Sequence, residues 1–162
     1  MQEKKTVTIY WSIIGLLLLT IAGLVLKFVV LGTTMTAEDG RRAIVLEPPE
    51  RAMVLHEMRQ FLAGIQGMLD AADRNDAAAI AKIARPLGMA ATRHVPAGLA
   101  AKLPLEFKTL GHGVHSDFDR IAMDAEVMND VRISLRQLAA TMNKCVACHA
   151  VYQISVTPRP GR

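Results

Sequence analysis

Aromatic side chains are scarce in this chain, at 4% of 162 residues, and clusters of β-branched residues are few outside one N-terminal run. Both shortages argue against strands. Only two cysteines are present, three positions apart, so no disulfide framework exists. No glycine loop for phosphate, no paired carboxylates and no nucleophile with its base stand out, so an enzyme is not expected. Nor is there an excess of one charge. The formal net charge is +4, but Thr33 onward holds 16 basic and 14 acidic residues, too weak and scattered an imbalance for nucleic acid. Internal repeats and low-complexity tracts are missing as well. Alanine, leucine, methionine and arginine dominate instead, all good helix formers, and the expected fold class is all-α.

The segment Val7 to Leu31, VTIYWSIIGLLLLTIAGLVLKFVVL, has Lys27 as its only charge. Val7 to Leu26 alone reaches about 30 Å as a helix, the thickness of a bilayer core. Tyr10 and Trp11 sit where an interfacial aromatic belt lies, and Lys27 is near enough to the far end to snorkel. The competing reading is a cleaved signal peptide, with an apolar core of about 7–15 residues and a small-x-small site. This run is longer, and Met35-Thr36-Ala37 puts a bulky residue where a small one is wanted. Residues 1–31 are therefore expected to be a retained anchor. Lys4 and Lys5 keep the N-terminus cytoplasmic and send the remainder across a bacterial inner membrane. Gly32 to Pro48 lacks periodicity and reads as a linker, able to reach roughly 55 Å fully stretched.

Four helices in up-down-up-down order are expected over residues 49–156, with a disordered tail at 157–162. The first opens at Pro49-Glu50 and carries the stripe Val54, Met58, Phe61, Ile65, Met68 and Ala72. Asp73 to Asp76 closes it and caps the second, which begins near Ala77 and is kinked or ended by Pro86 and Gly88. The third runs from near Pro104 to Met128, with Phe107, Leu110, Val114, Phe118, Ile121 and Ala125 inward. Asn129-Asp130 makes a turn and an N-cap. Val131, Leu135, Leu138, Met142, Cys145 and His149 form the stripe of the fourth. Short connections make neighbouring helices antiparallel.

Cys145-Val146-Ala147-Cys148-His149 is CxxCH, the attachment signature for haem c. Two thiols one helical turn apart suit the two vinyl groups on one porphyrin edge, and the histidine that follows is carried under the ring to meet iron. A thioredoxin-like CxxC belongs instead at a helix N-terminus after a strand, where the dipole depresses the thiol pKa. A zinc site would need further ligands at metal spacing, and no second CxxC or HxxxH exists. Haem c is attached on the outer side of the bacterial inner membrane, where the anchor delivers this domain.

With Tyr152 added, the motif CxxCHxxY in the last helix of a four-helix bundle resembles the cytochrome c-prime family, including its low-spin c-type relatives and the b-type bundle cytochrome. The resemblance covers roughly Pro49 to Ile154. It is specific at Cys145, Cys148, His149 and Tyr152 and a pattern similarity elsewhere. It implies one covalent haem c between the first and last helices, with His149 as proximal ligand.

Low-spin relatives carry a methionine ligand early in helix one, followed by apolar positions that here are Phe61, Ile65, Met68 and Ala71. The resemblance thus implies Met58 as sixth ligand. In an antiparallel bundle Met58, about 13 Å into helix one, lies at the depth of His149. Met53 is the rival, and Met68 belongs to the core. Five-coordinate relatives put an apolar residue at the distal position and leave iron open to small gases. Arg59 is a candidate partner for a haem propionate, although its offset differs from that of the family's basic residue. His56 lies about 200° around the helix from Met58 and is expected to face solvent. His112 and His115 are assigned a surface or second-shell role, and His94 an exposed helix end.

The function expected from this reading is one-electron transfer by a membrane-tethered monohaem cytochrome. Its partners would be a quinol-oxidising complex, a terminal reductase or other periplasmic cytochromes. The alternatives are a five-coordinate binder of NO or CO, and a haem-bearing accessory subunit of a membrane respiratory complex. A homodimer or membership of a larger complex is compatible with all three.

Overall fold

A computed structural model describes residues 2–156; the expected tail at 157–162 lies outside the described residues. The apolar run forms helix α1 (Gln2–Val25), which continues as a wider π-helical turn over Leu26–Leu31. Ile9–Leu31 has a mean hydropathy of 2.7 and no buried residue, enough length and apolarity to cross a membrane or to serve as a signal sequence. At its end Gly32 N–H donates to the Lys27 carbonyl at 3.1 Å, and the Lys27 ammonium donates to the Gly32 carbonyl at 3.2 Å. The last carbonyls of a helix are orphans, and here a cation satisfies one of them.

The helices of the soluble part follow their capping chemistry. Helix α2 (Pro48–Asp73) starts with two prolines and a reciprocal box in which Glu47 N–H donates to Glu50 at 2.8 Å. Asn75, at φ 54°, turns the chain, and Asp76 accepts from Ala79 N–H at 2.8 Å to cap α3 (Ala77–Ala84). Pro86 cannot extend the hydrogen-bond ladder, so α3 gives way to 3-10 turns at Arg85–Leu87 and Met89–His94. A short helix, α4 (Ala97–Lys102), intervenes before α5 (Leu105–Met128). Asn129, at φ 48°, ends α5, and Asp130 caps α6 (Val131–Val151) through Arg132 N–H.

Helices α2, α3, α5 and α6 pack around one apolar core, in which Met68, Ile80, Phe118, Ile121 and Leu138 are almost completely buried. Phe61 and Phe118 stack at 5.4 Å between ring centres. The four expected helices are thus present, the second of them much shorter than its partners.

The fold is not purely helical. Residues expected as a linker form strands β1 (Thr34–Thr36) and β2 (Arg42–Leu46), an antiparallel hairpin, and the chain after α6 forms β3 (Tyr152–Val156). Strand β3 pairs with β2 in parallel, Ile44 opposite Ile154. A parallel pair needs a long crossover, and the helical bundle itself is that crossover. Ile44 and Leu46, both at 0% exposure, form a second apolar cluster with Val54, Leu99, Leu103 and Tyr152. Burial makes the sheet, because β2 supplies the continuous apolar run Ala43–Leu46, of which Ala43, Ile44 and Leu46 are buried.

Candidate functional site

Cys145 and Cys148 lie on adjacent turns near the end of α6, unbonded to each other and half-buried. Burial pushes both thiols above their usual pKa, and at Cys148 the neighbouring Cys145 adds to the shift. The helix dipole is negative at this end, so nothing in the site activates a thiolate. That separates it from a disulfide-exchange centre, whose attacking thiol needs a depressed pKa. His149 is exposed, in the last helical turn.

The end of α6 is held from the sheet. Arg41 donates to the His149 carbonyl at 3.2 Å and to Gln153 at 3.3 Å. Tyr152, 3% exposed, donates its hydroxyl to Glu106 of α5 at 2.7 Å, and the Arg42 guanidinium lies 5.1 Å over its ring while pairing with Glu106 at 3.1 Å. Burial, then the Glu106 carboxylate, pushes the Tyr152 phenol up to about 12. Tyr152 therefore anchors the helix end as a neutral hydrogen-bond donor. Neither Arg41 nor Arg42 was expected at the site, because their segment showed no helical periodicity. The signal available was local: the apolar run Ala43-Ile44-Val45-Leu46 complements Tyr152 to Val156.

Cys148 packs against the second apolar cluster, on the same flank of α6 as Lys144 and Thr141, and Cys145 lies further round toward α2. Helix α6 packs closely along α5 but approaches α2 at few points. On α2, a side chain at Gly64 or Gly67 would meet Leu87 or Ile83, so that flank faces α3 and its 3-10 extension. At 100° per residue, Leu55, Met58, Leu62, Ile65 and Leu69 fall on the flank toward α6. Leu62 is 69% exposed and Leu69 50%. On α6, Lys144 and Thr141 bond Asp117 of α5 at 2.6 and 3.2 Å, and the opposite flank, toward α2, carries Leu135, Met142, Val146 and His149. These three apolar side chains are also exposed. Two apolar flanks are thus uncovered, with His149 of the CxxCH motif at one end of the α6 flank. A flat apolar group held there would cover area that is costly to leave in water.

Val54 and Tyr152 share one apolar cluster, with Cys148 packed against it, so the start of α2 meets the end of α6. Met58 is one turn deeper, half-buried at the edge of the main core. Met68 is 1% exposed within that core. Met53 lines a cavity on the other flank of α2, away from the α6 side. Arg59 is exposed beside the Met58 flank, and no hydrogen bond or ion pair of its side chain brings it to the cysteines. His56, His94 and His112 are exposed, as expected for His56 and His94. His115 is not a surface residue: it is 4% exposed, with Nδ1 2.7 Å from the Leu87 carbonyl and Nε2 3.3 Å from Glu57. Among the described residues no cluster of three His, Cys, Asp or Glu side chains is disposed to hold a metal ion.

No protein-family model, curated protein or solved structure matches the chain.

Proposed function

We propose that this chain is a membrane-anchored c-type monohaem cytochrome that carries single electrons, a reading that starts from the CxxCH motif and from its place at one end of the uncovered apolar flank of α6. The thioether bonds would form from Cys145 and Cys148, and His149 would be the proximal ligand. Met58, on the facing flank and at matching depth, is the sixth ligand in this proposal. Haem bound there supplies one-electron redox chemistry, and a thioether sulfur ligand raises its reduction potential relative to a nitrogen ligand.

The chain's own residues do the rest. Leu55, Leu62 and Ile65 on α2 and Val146 and Met142 on α6 would shield a haem held there from water. Arg41 and Tyr152 hold the end of α6, fixing where His149 sits. Arg59 is the candidate for pairing a propionate. With both axial positions filled, electron transfer rather than gas binding is the activity, and the partners are other redox proteins at the membrane surface.

The test is spectroscopic. The full chain, made in a host that attaches haem c and purified in mild detergent, should give a low-spin spectrum with a far-red sulfur-to-iron band. Carbon monoxide should leave the reduced spectrum unchanged, whereas Met58→Ala should lose the band and bind carbon monoxide. A wild-type protein that is high-spin and binds carbon monoxide removes Met58 from iron and makes the five-coordinate, NO- or CO-binding alternative the better reading. A chain recovered without covalent haem rejects the proposal.

A further inference from the structure

The cavity beside Met53 opens away from the α6 flank of α2, although its walls Val54, Leu99, Leu103 and Phe107 belong to the apolar cluster against which Cys148 packs. It encloses about 390 Å³, within the range of roughly 300–1,000 Å³ usual for small-molecule sites. Its walls are mainly apolar, with Phe61, Leu87, Leu99, Leu103 and Phe107 contributed by α2, the first 3-10 turn, α4 and α5. Its polar groups include His115, Glu57 and His56, and no lysine or arginine lines it.

The position of this cavity bears on what reaches it. Its α4 and α5 walls rest on the exit end of the apolar N-terminal helix. Thr33 N–H donates to the Lys102 carbonyl at 2.7 Å, and the Lys108 ammonium to the Val29 carbonyl at 3.0 Å. Leu103 and Phe107 are the immediate neighbours of those two lysines in the chain. If α1 spans a membrane, the cavity stands at the bilayer surface, and a ligand dissolved in the bilayer enters it with little exposure to water.

The chemistry narrows the ligand further. A phospholipid head would want cations free to meet it; no lysine or arginine lines the walls, and His115 is already paired with Glu57. A bare acyl chain would leave the Glu57–His115 pair with nothing to recognise. A quinone ring fits both parts of the site: its faces are apolar and planar, and its oxygens lie at opposite ends. His115 Nδ1–H donates to the Leu87 carbonyl at 2.7 Å, which fixes the imidazole and aims Nε2 at one Glu57 oxygen, 3.3 Å away. The other oxygen of the Glu57 carboxylate accepts from a quinol hydroxyl. We infer that this cavity binds the head of a membrane-borne isoprenoid quinone or quinol, held at the Glu57–His115 pair between apolar walls. The inference rests on α1 being a retained span.

Photolabelling of the full chain in lipid nanodiscs with an azido-quinone tests it, after the intact mass has been recorded. Label is expected in peptides spanning 53–61 or 95–107, removed by excess unlabelled quinone. Ala91→Trp, which puts bulk at the rim of the cavity, should lower labelling about tenfold or more while leaving the thermal melt unchanged. Where that variant melts differently from wild type, Val95→Phe, also at the rim, takes its place with the same expectation. The inference is overturned by label confined to residues 7–31 or to the α2–α6 flanks, or by label that survives competitor or the cavity-filling variant. It is equally overturned by a mass showing that the first helix has been removed, an outcome distinct from failure of the site.

Discussion

His115 is buried to 4% exposure, yet both of its ring nitrogens meet oxygen. Burial alone would lower its pKa; hydrogen bonds to Glu57 and to the Leu87 carbonyl outweigh it and leave the imidazole above its ordinary 6.5. A group whose folded pKa is raised stabilises the fold fully below its unfolded pKa, and that contribution fades as pH rises through the folded value. The melting temperature should therefore decline as pH rises from about 6.5 through the raised value. In Glu57→Gln this part of the decline should shrink, and an unchanged profile would show that Glu57 does not hold the proton on His115. This pairing was hidden in the sequence, since Glu57 and His115 sit on different helices. Cys145, Cys148 and His149 could be read outright, because their spacing is the chemistry. Met58 was readable only with the depth argument, whereas Arg41 and Arg42 came from a segment with no pattern to interpret.

Among the elements, the helices were legible and the sheet was not, for a physical reason. Helix ends announce themselves locally: Pro48-Pro49, Asp76, Asn129 and Asp130 each satisfy or terminate a backbone ladder within four residues. Strand β2 gains its stability from a partner more than a hundred residues away, and its five residues are too few for a period-two pattern to be distinctive. The sheet also changes the nature of the connection between anchor and bundle. Gly32 has φ 64°, and a side chain there would collide with the Lys102 carbonyl and with the Leu103–Pro104 backbone. With ψ at −155° this is a conformation essentially confined to glycine, so Gly32→Ala combines backbone strain of about 1–3 kcal/mol with a backbone clash. It should destabilise the soluble part by at least about 2 kcal/mol and open the β1–β2 hairpin to limited proteolysis. Gly40→Ala is the control, since it also has positive φ but meets no atom within 4 Å. Equal losses in the two variants would mean that the close packing at Gly32 contributes nothing.

At the scale of the whole molecule, the sheet ties the exit of α1 to the end of α6 by adjacent strands. If α1 spans a membrane, a proposed haem at Cys145 and Cys148 would be held at a set height above its surface rather than swung on a long linker. This arrangement is useful only if the bundle is delivered to the side where haem c is attached. The sequence assigns that task to Lys4 and Lys5, since basic residues flanking a first span stay in the cytoplasm. Lys27, at the far end of the apolar run, opposes them, and its Nζ is bonded to the Gly32 carbonyl. Arg41 and Arg42, ten and eleven residues beyond Leu31, stand with Lys27, so the balance is two charges against three and is easily inverted. Replacing both N-terminal lysines, Lys4→Glu with Lys5→Glu, should leave a substantial fraction of chains with the bundle in the cytoplasm. Those chains should be protected from protease added to spheroplasts and should carry no covalent haem, seen as lost haem stain on a denaturing gel. Adding Lys27→Gln, Arg41→Gln and Arg42→Gln to the same chain removes the opposing charges and should restore protease access. If the double variant keeps full haem loading, the orientation is set by something other than the lysines, and the soluble bundle itself, through its bulk or its early folding, becomes the element that chooses the side.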